Sequence, residues 1–137
     1  MRHCHKNFIL SFLLSFGLAI PAFAQQEEEE GKPFDMDKAA EREAERLGEI
    51  LKLEDWQLFY ADSILRHDYG AMHEEIQKMQ SMGIQNRDLY QDAQDKWLER
   101  SEKALRKIFN DTQWKKYLKD GAGRRIKERE KRQKAKK

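Results

Sequence analysis

Valine is absent from this 137-residue sequence, and Thr112 is its single threonine. With isoleucine almost the only β-branched residue, strands have little to stiffen them, and neither an all-β nor a doubly wound α/β fold is expected. The two prolines and seven glycines leave long stretches without a breaker. The one cysteine, Cys4, rules out a disulfide framework. Neither sign of charge is in large excess, with 27 Lys+Arg against 25 Asp+Glu. What is abundant is Ala, Leu, Glu, Lys, Arg, Gln and Met, residues that lose little freedom in a helix. Length allows one domain, and the expected class is all-α.

The first 24 residues read as an address. Arg2 and Lys6 give a positive start, Phe8 to Ile20 an apolar run, and Ala22-Phe23-Ala24 the small-x-small site that signal peptidase accepts. The run is shorter than the roughly 20 residues a membrane span needs. Cleavage after Ala24 and a periplasmic location are therefore expected, with no transmembrane segment left. Cys4, His3 and His5 leave with the signal, so their metal-like clustering carries no meaning. Taking Arg2 and Lys6 from the basic total gives 27 − 2 = 25, equal to the acidic total of 25.

Charge is nevertheless divided along the expected mature chain. Residues 25–95 hold 8 basic and 19 acidic side chains, and residues 96–137 hold 17 and 6. The balance is −11 against +11, which could fold the halves together, pair molecules, or offer a basic surface to anionic partners. Export argues against nucleic acid as that partner.

Gln25 to Phe34, with Glu27 to Glu30 in a row, has too little to bury and reads as an acidic linker. A first helix, capped by Asp35 or Asp37, should run to about Lys52 on Met36, Ala40, Ala44, Leu47 and Leu51. A second should run from about Asp55 to Met82, with Leu58, Ala61, Leu65, Tyr69, Met72, Ile76 and Met79 in one sector. A third, capped near Asn86, should reach Phe109 on Tyr90, Ala93, Trp97, Ala104 and Ile108. The short link at Gly83–Asn86 makes helices two and three an antiparallel hairpin. A fourth helix starts after Asn110 and should weaken at Gly121 and Gly123. The expected architecture is an elongated bundle of about four helices spanning 35–120, dimerising to complete its core. Residues 121–137, basic and nearly without apolar side chains, read as a solvated, fraying tail.

A repeat at an offset of 56 residues aligns Leu53-Glu54-Asp55-Trp56-Gln57-Leu58 with Phe109-Asn110-Asp111-Thr112-Gln113-Trp114. Each copy sits where one helix ends and another begins. Asn110 can accept from a first-turn N–H while Gln113 reaches back, and Phe109 can pack on Trp114: a capping box with a hydrophobic staple. The first copy has Gln57 and a Leu53–Leu58 staple but Glu54 at the cap, so its junction should be looser.

These two segments, LEDWQ and FNDTQ, in an exported chain with no cysteine after the signal, resemble the Spy/CpxP-like LTxxQ family of periplasmic proteins. Leu53 and Gln57 match the motif in the first copy; in the second Gln113 matches and Phe109 replaces Leu. Asn110 keeps the capping role without the Thr. The resemblance covers roughly residues 36–120. It implies a bent helical hairpin that dimerises into a shallow cradle and, for Spy-like members, ATP-independent capture of unfolded clients. Its other implied role is an envelope-stress adaptor that binds a sensor domain; a metal sensor ranks third.

Chemistry finds little purchase. Ser63, Ser81 and Ser101 lie in helical pattern, and His67 and His73 pair with no nucleophile, so no catalytic residue and no cofactor are expected. His67 and His73 are six apart, about 240° around a helix, and cannot share an ion within a protomer. His67 and Glu74 share a face but lack a third ligand, so no metal site is assigned. The anomaly is Trp56, Leu58, Phe59 and Tyr60, which put apolar groups around nearly the whole of helix two. Trp56, Tyr60 and Ile64 form a second stripe with Phe59 nearby, to be covered by helix one or four, by a second copy, or by a client. Lys115, Lys116, Arg124 and Arg125 are a candidate basic rim. N-terminal sequencing of the exported protein should begin at Gln25; a mature start at Met1 would refute the signal reading.

Overall fold

The computed structural model describes residues 35–136, so the expected signal peptide (1–24), its cleavage site and the acidic leader (25–34) lie outside the described residues. All regular structure among the described residues is helical. The elements are α1 (Met36–Leu51), α2 (Asp55–Ser81), α3 (Arg87–Ile108), α4 (Asp111–Tyr117) and α5 (Gly123–Ala135), the last two joined by a π turn at Leu118–Ala122.

Of the two aspartates that could start α1, Asp35 does so, its carboxylate accepting from the N–H groups of Asp37 and Lys38 at 3.0 and 3.1 Å. The buried stripe is Ala40, Ala44, Leu47 and Leu51, at the expected spacing. Two of its members are small, and Gly48 follows on the same side. A β-carbon at Gly48 would lie 3.1 Å from Leu58, so its lack of a side chain lets α2 approach closely. The chain leaves α1 through Lys52 in the left-handed region (φ 54°) and turns back into α2 within three residues. Partner pairs number in opposite directions along the two helices, Gly48 with Leu58 and Glu41 with Arg66, so they run antiparallel.

The hairpin of α2 and α3 is likewise antiparallel. Asp68 faces Ser101, and Glu75 faces Lys96 and Trp97. Asn86 caps α3 through Asp88 N–H at 2.9 Å, as its position suggested. Of the seven expected core residues on α2, Ala61 and Leu65 are buried, while Leu58 and Tyr69 are partly buried and pack on the core. On α3 the buried residues are Ala93, Asp95, Ser101, Glu102 and Leu105, so the expected stripe is shifted toward polar positions. Leu47 and Leu105 are the largest fully buried side chains, each contributing about 1.5–3 kcal/mol. Phe109 and Tyr117 close the core, their rings edge-on at 5.8 Å.

Beyond Tyr117 the structure departs from expectation. Gly121 takes φ 114°, which only glycine adopts without strain, yet the chain does not stop there. The π turn carries it on into α5, which is helical to Ala135. Nor is 121–137 a solvated tail over its described part. Arg129, Arg132 and Lys136 pair with Glu102, Asp95 and Asp92 on α3, and Gln133 reaches Glu99. Arg132 holds Asp95 by two bonds, at 2.7 and 3.1 Å. Arg129 and Glu102 are themselves buried, at 5% and 6% exposure. A helix that is polar all round cannot dock through an apolar stripe, so α5 docks through charge. The opposed halves of the sequence are thus partly joined within one molecule.

Removing one side of a buried ion pair strands the other charge. Arg129→Met should therefore lower stability to urea unfolding by about 3 kcal/mol, and Arg129→Met with Glu102→Leu should recover most of it. Equal losses in the single and double variants would show that α5 is held by something else.

Candidate functional site

The two repeated segments, 56 residues apart, meet. Gln57 and Gln113 are buried and exchange hydrogen bonds through their side-chain amides. Gln57 Nε2 donates to Gln113 Oε1 at 2.8 Å, and Gln113 Nε2 to Gln57 Oε1 at 3.0 Å. Each oxygen also accepts from the backbone N–H of its own helix cap, Glu54 at 2.9 Å and Asn110 at 3.0 Å. Each amide's second N–H turns to the end of a helix belonging to the other copy: Gln57 to the Ile108 carbonyl at 2.8 Å, and Gln113 toward that of Lys52 at 3.5 Å. The pair thus satisfies itself and ties together the ends of α1 and α3 and the starts of α2 and α4. Local capping was legible in the sequence; the pairing across the repeat was not.

Both junctions form capping boxes. Asn110 Oδ1 accepts from Gln113 N–H at 2.9 Å, whereas the Glu54 carboxylate holds the Trp56 indole N–H at 2.8 Å. Glu54 is thus a support for an aromatic side chain as well as a cap. Leu53 and Leu58 both pack on the core; Phe109 meets Tyr117, and Trp114 stacks on the same Tyr117 ring at 5.2 Å.

From this anchored start α2 projects an aromatic patch. Trp56, Phe59 and Tyr60 are 50%, 69% and 52% exposed, so neither α1 nor α4 covers them. Tyr60 joins the three, edge-on to Trp56 at 6.4 Å and to Phe59 at 5.6 Å. Ile64 does not share the patch. It is partly buried and packs on the core.

The four candidate basic residues do not form one rim. Lys115 and Lys116 are exposed on α4; Arg124 and Arg125 lie beyond the π turn. Arg124 sits in a shallow dent with Lys119 and Lys127, while Arg125 faces Tyr69 and Tyr117. The histidines have local partners, His67 with Asp68 and His73 with Gln77, each at 2.8 Å. Among the described residues no three His, Cys, Asp or Glu side chains are placed to hold a metal ion. No helix among them is long and apolar enough to cross a membrane.

Asp68 lacked any sequence signal. It is 2% exposed, accepts from Ser101 Oγ at 3.0 Å and lies beside Arg100 at 3.5 Å. Its spacing from Ser101 follows no local period, so only the hairpin register reveals it. Compared with family models, curated proteins and solved structures, the chain has no match.

Replacing either glutamine orphans its partner's buried amide, at a cost of about 1–3 kcal/mol. Gln57→Met and Gln113→Met should each lower stability by that order, and the double variant should cost less than their sum. Strict additivity in a double-mutant cycle would show that the two amides act independently.

Proposed function

We propose that this chain is an exported, ATP-independent, chaperone-like binding protein of Spy/CpxP type, capturing partly unfolded proteins through the aromatic patch on α2. The observation that supports this reading is the exposure of Trp56, Phe59 and Tyr60 on a helix start whose backbone is locked. Three adjoining aromatic rings left open to water mark a contact surface rather than a core. Side chains of this kind give large contact area at low entropy cost and accept varied apolar partners. The repeated LEDWQ and FNDTQ segments and the signal-like start support membership of that family and a periplasmic location.

Catalysis has no part in the proposal. The buried polar groups of the structure are engaged with one another: Asp68 with Ser101, Glu102 with Arg129, and Gln57 with Gln113. Binding is salt-tolerant on this reading, since the patch is apolar and the four candidate basic residues do not form one rim. A second copy of the chain is the natural competitor for the same surface, so self-association and client capture exclude each other there.

The test is suppression of aggregation of a chemically unfolded client by the chain from Gln25 onward, without ATP. Trp56→Ser with Tyr60→Ser should reduce suppression several-fold while leaving the helical circular dichroism unchanged. Full activity in that variant would overturn the patch as the client site. An unchanged dimer with a strongly lowered melting temperature would instead make it a structural surface.

A further inference from the structure

Helix α5 carries seven Lys and Arg against two acids, Glu128 and Glu130, and its bases are sorted by face. At 100° per residue, Arg129, Arg132 and the following Lys136 fall on one side, where Glu102, Asp95 and Asp92 of α3 neutralise them. Arg124, Lys127, Lys131 and Lys134, spaced by three, four and three, fall on the opposite side. All four are exposed, and none forms an ion pair among the described residues. Their row is about 15 Å long at 1.5 Å per residue. Lys119 shares a dent with Arg124 and Lys127, which extends the row into the π turn. Glu128 and Glu130 flank it, one on each side, and leave most of its charge uncompensated. Docking on α3 thus decides which bases of α5 face water.

The two faces also differ in residue type. Arginine predominates toward α3, where Arg132 grips Asp95 with two prongs. Lysine predominates outward, a point charge on a flexible stem that suits mobile anions better than a fixed carboxylate. The outward face has Ala135 as its one apolar residue. A stable protein interface needs an apolar core, which this face does not supply, whereas adsorption to charged lipid needs only charge. We propose that the outer face of α5 is a docking surface for an anionic membrane, Arg124, Lys127, Lys131 and Lys134 resting on its phosphate headgroups. The contact is peripheral, since no helix among the described residues is long and apolar enough to cross the bilayer. It is independent of the aromatic patch, and it is salt-sensitive where client capture is salt-tolerant, because exposed charges are screened beyond about 10 Å at 0.1 M salt.

The experiment is co-sedimentation of the chain from Gln25 onward with vesicles of phosphatidylglycerol and phosphatidylethanolamine, against vesicles of phosphatidylcholine alone. The anionic vesicles should carry the chain down at about 50 mM salt and release it at about 500 mM, and the neutral vesicles should not bind it. Lys127→Gln, Lys131→Gln and Lys134→Gln together should weaken binding at least about tenfold, with the helical spectrum and the melting temperature unchanged. Lys38→Gln, Lys78→Gln and Arg87→Gln remove as much charge from exposed positions elsewhere and should change binding by less than about twofold. Trp56→Ser with Tyr60→Ser should leave vesicle binding unchanged. Soluble polyglutamate stands in for an acidic protein and should bind more weakly than the anionic vesicles. Failure to bind anionic vesicles, equal binding to neutral ones, equal loss in the two lysine and arginine triples, loss in the aromatic variant, or preference for polyglutamate would each overturn the proposal.

Discussion

The rest of the structure depends on the exchange of hydrogen bonds between Gln57 and Gln113. A primary amide has two donors and an oxygen with two acceptor positions, and a helix end leaves backbone groups without partners. Two such amides set face to face satisfy each other, two cap N–H groups and two carbonyls of preceding helices. Four helix ends are brought to one point in an environment with little water to compete. Leucine or methionine could fill the space but could satisfy none of these groups, which accounts for two glutamines in a place where apolar side chains would be expected.

Around that point the apolar core is small and partly built from alanine, and polar contacts carry what remains. Asp68 with Ser101, Glu102 with Arg129 and Asp95 with Arg132 join helices distant in sequence. Such pairs add little net energy once desolvation is counted, but a mismatched register would strand a charge. They select one alignment of α5 on α3 over its neighbours. The π turn at Gly121 contributes by letting the helix pass its kink without ending, so that Arg129 arrives opposite Glu102.

The same anchoring gives the aromatic patch its stiffness. Glu54 is joined to Gln57 through its backbone and to the Trp56 indole through its carboxylate, so the patch and the amide pair share a residue. A rigidly mounted apolar surface loses less entropy on contact than a mobile one.

Composition and period determined a good deal by themselves. The near absence of β-branched residues fixed the helical class, spacings of three and four located α1 to α4, and Asp35 or Asp37, Asn86 and Asn110 marked the starts of α1, α3 and α4, because each rests on contacts within a few residues. The fate of 121–137 was not legible: a polar helix reads the same whether it meets solvent or a complementary face, and only the fold brings Asp92, Asp95 and Glu102 to it. Nor could sequence say which stripe of α2 was covered. Trp56 and Tyr60 stay exposed while Ile64 packs on the core, a difference that exists only once the neighbouring helices are in place. The pairing of Gln57 with Gln113, the burial of Asp68 and the meeting of Tyr69, Tyr117 and Arg125 were decided by tertiary structure alone, since they join residues with no shared local period and exist only once the helices have been set side by side.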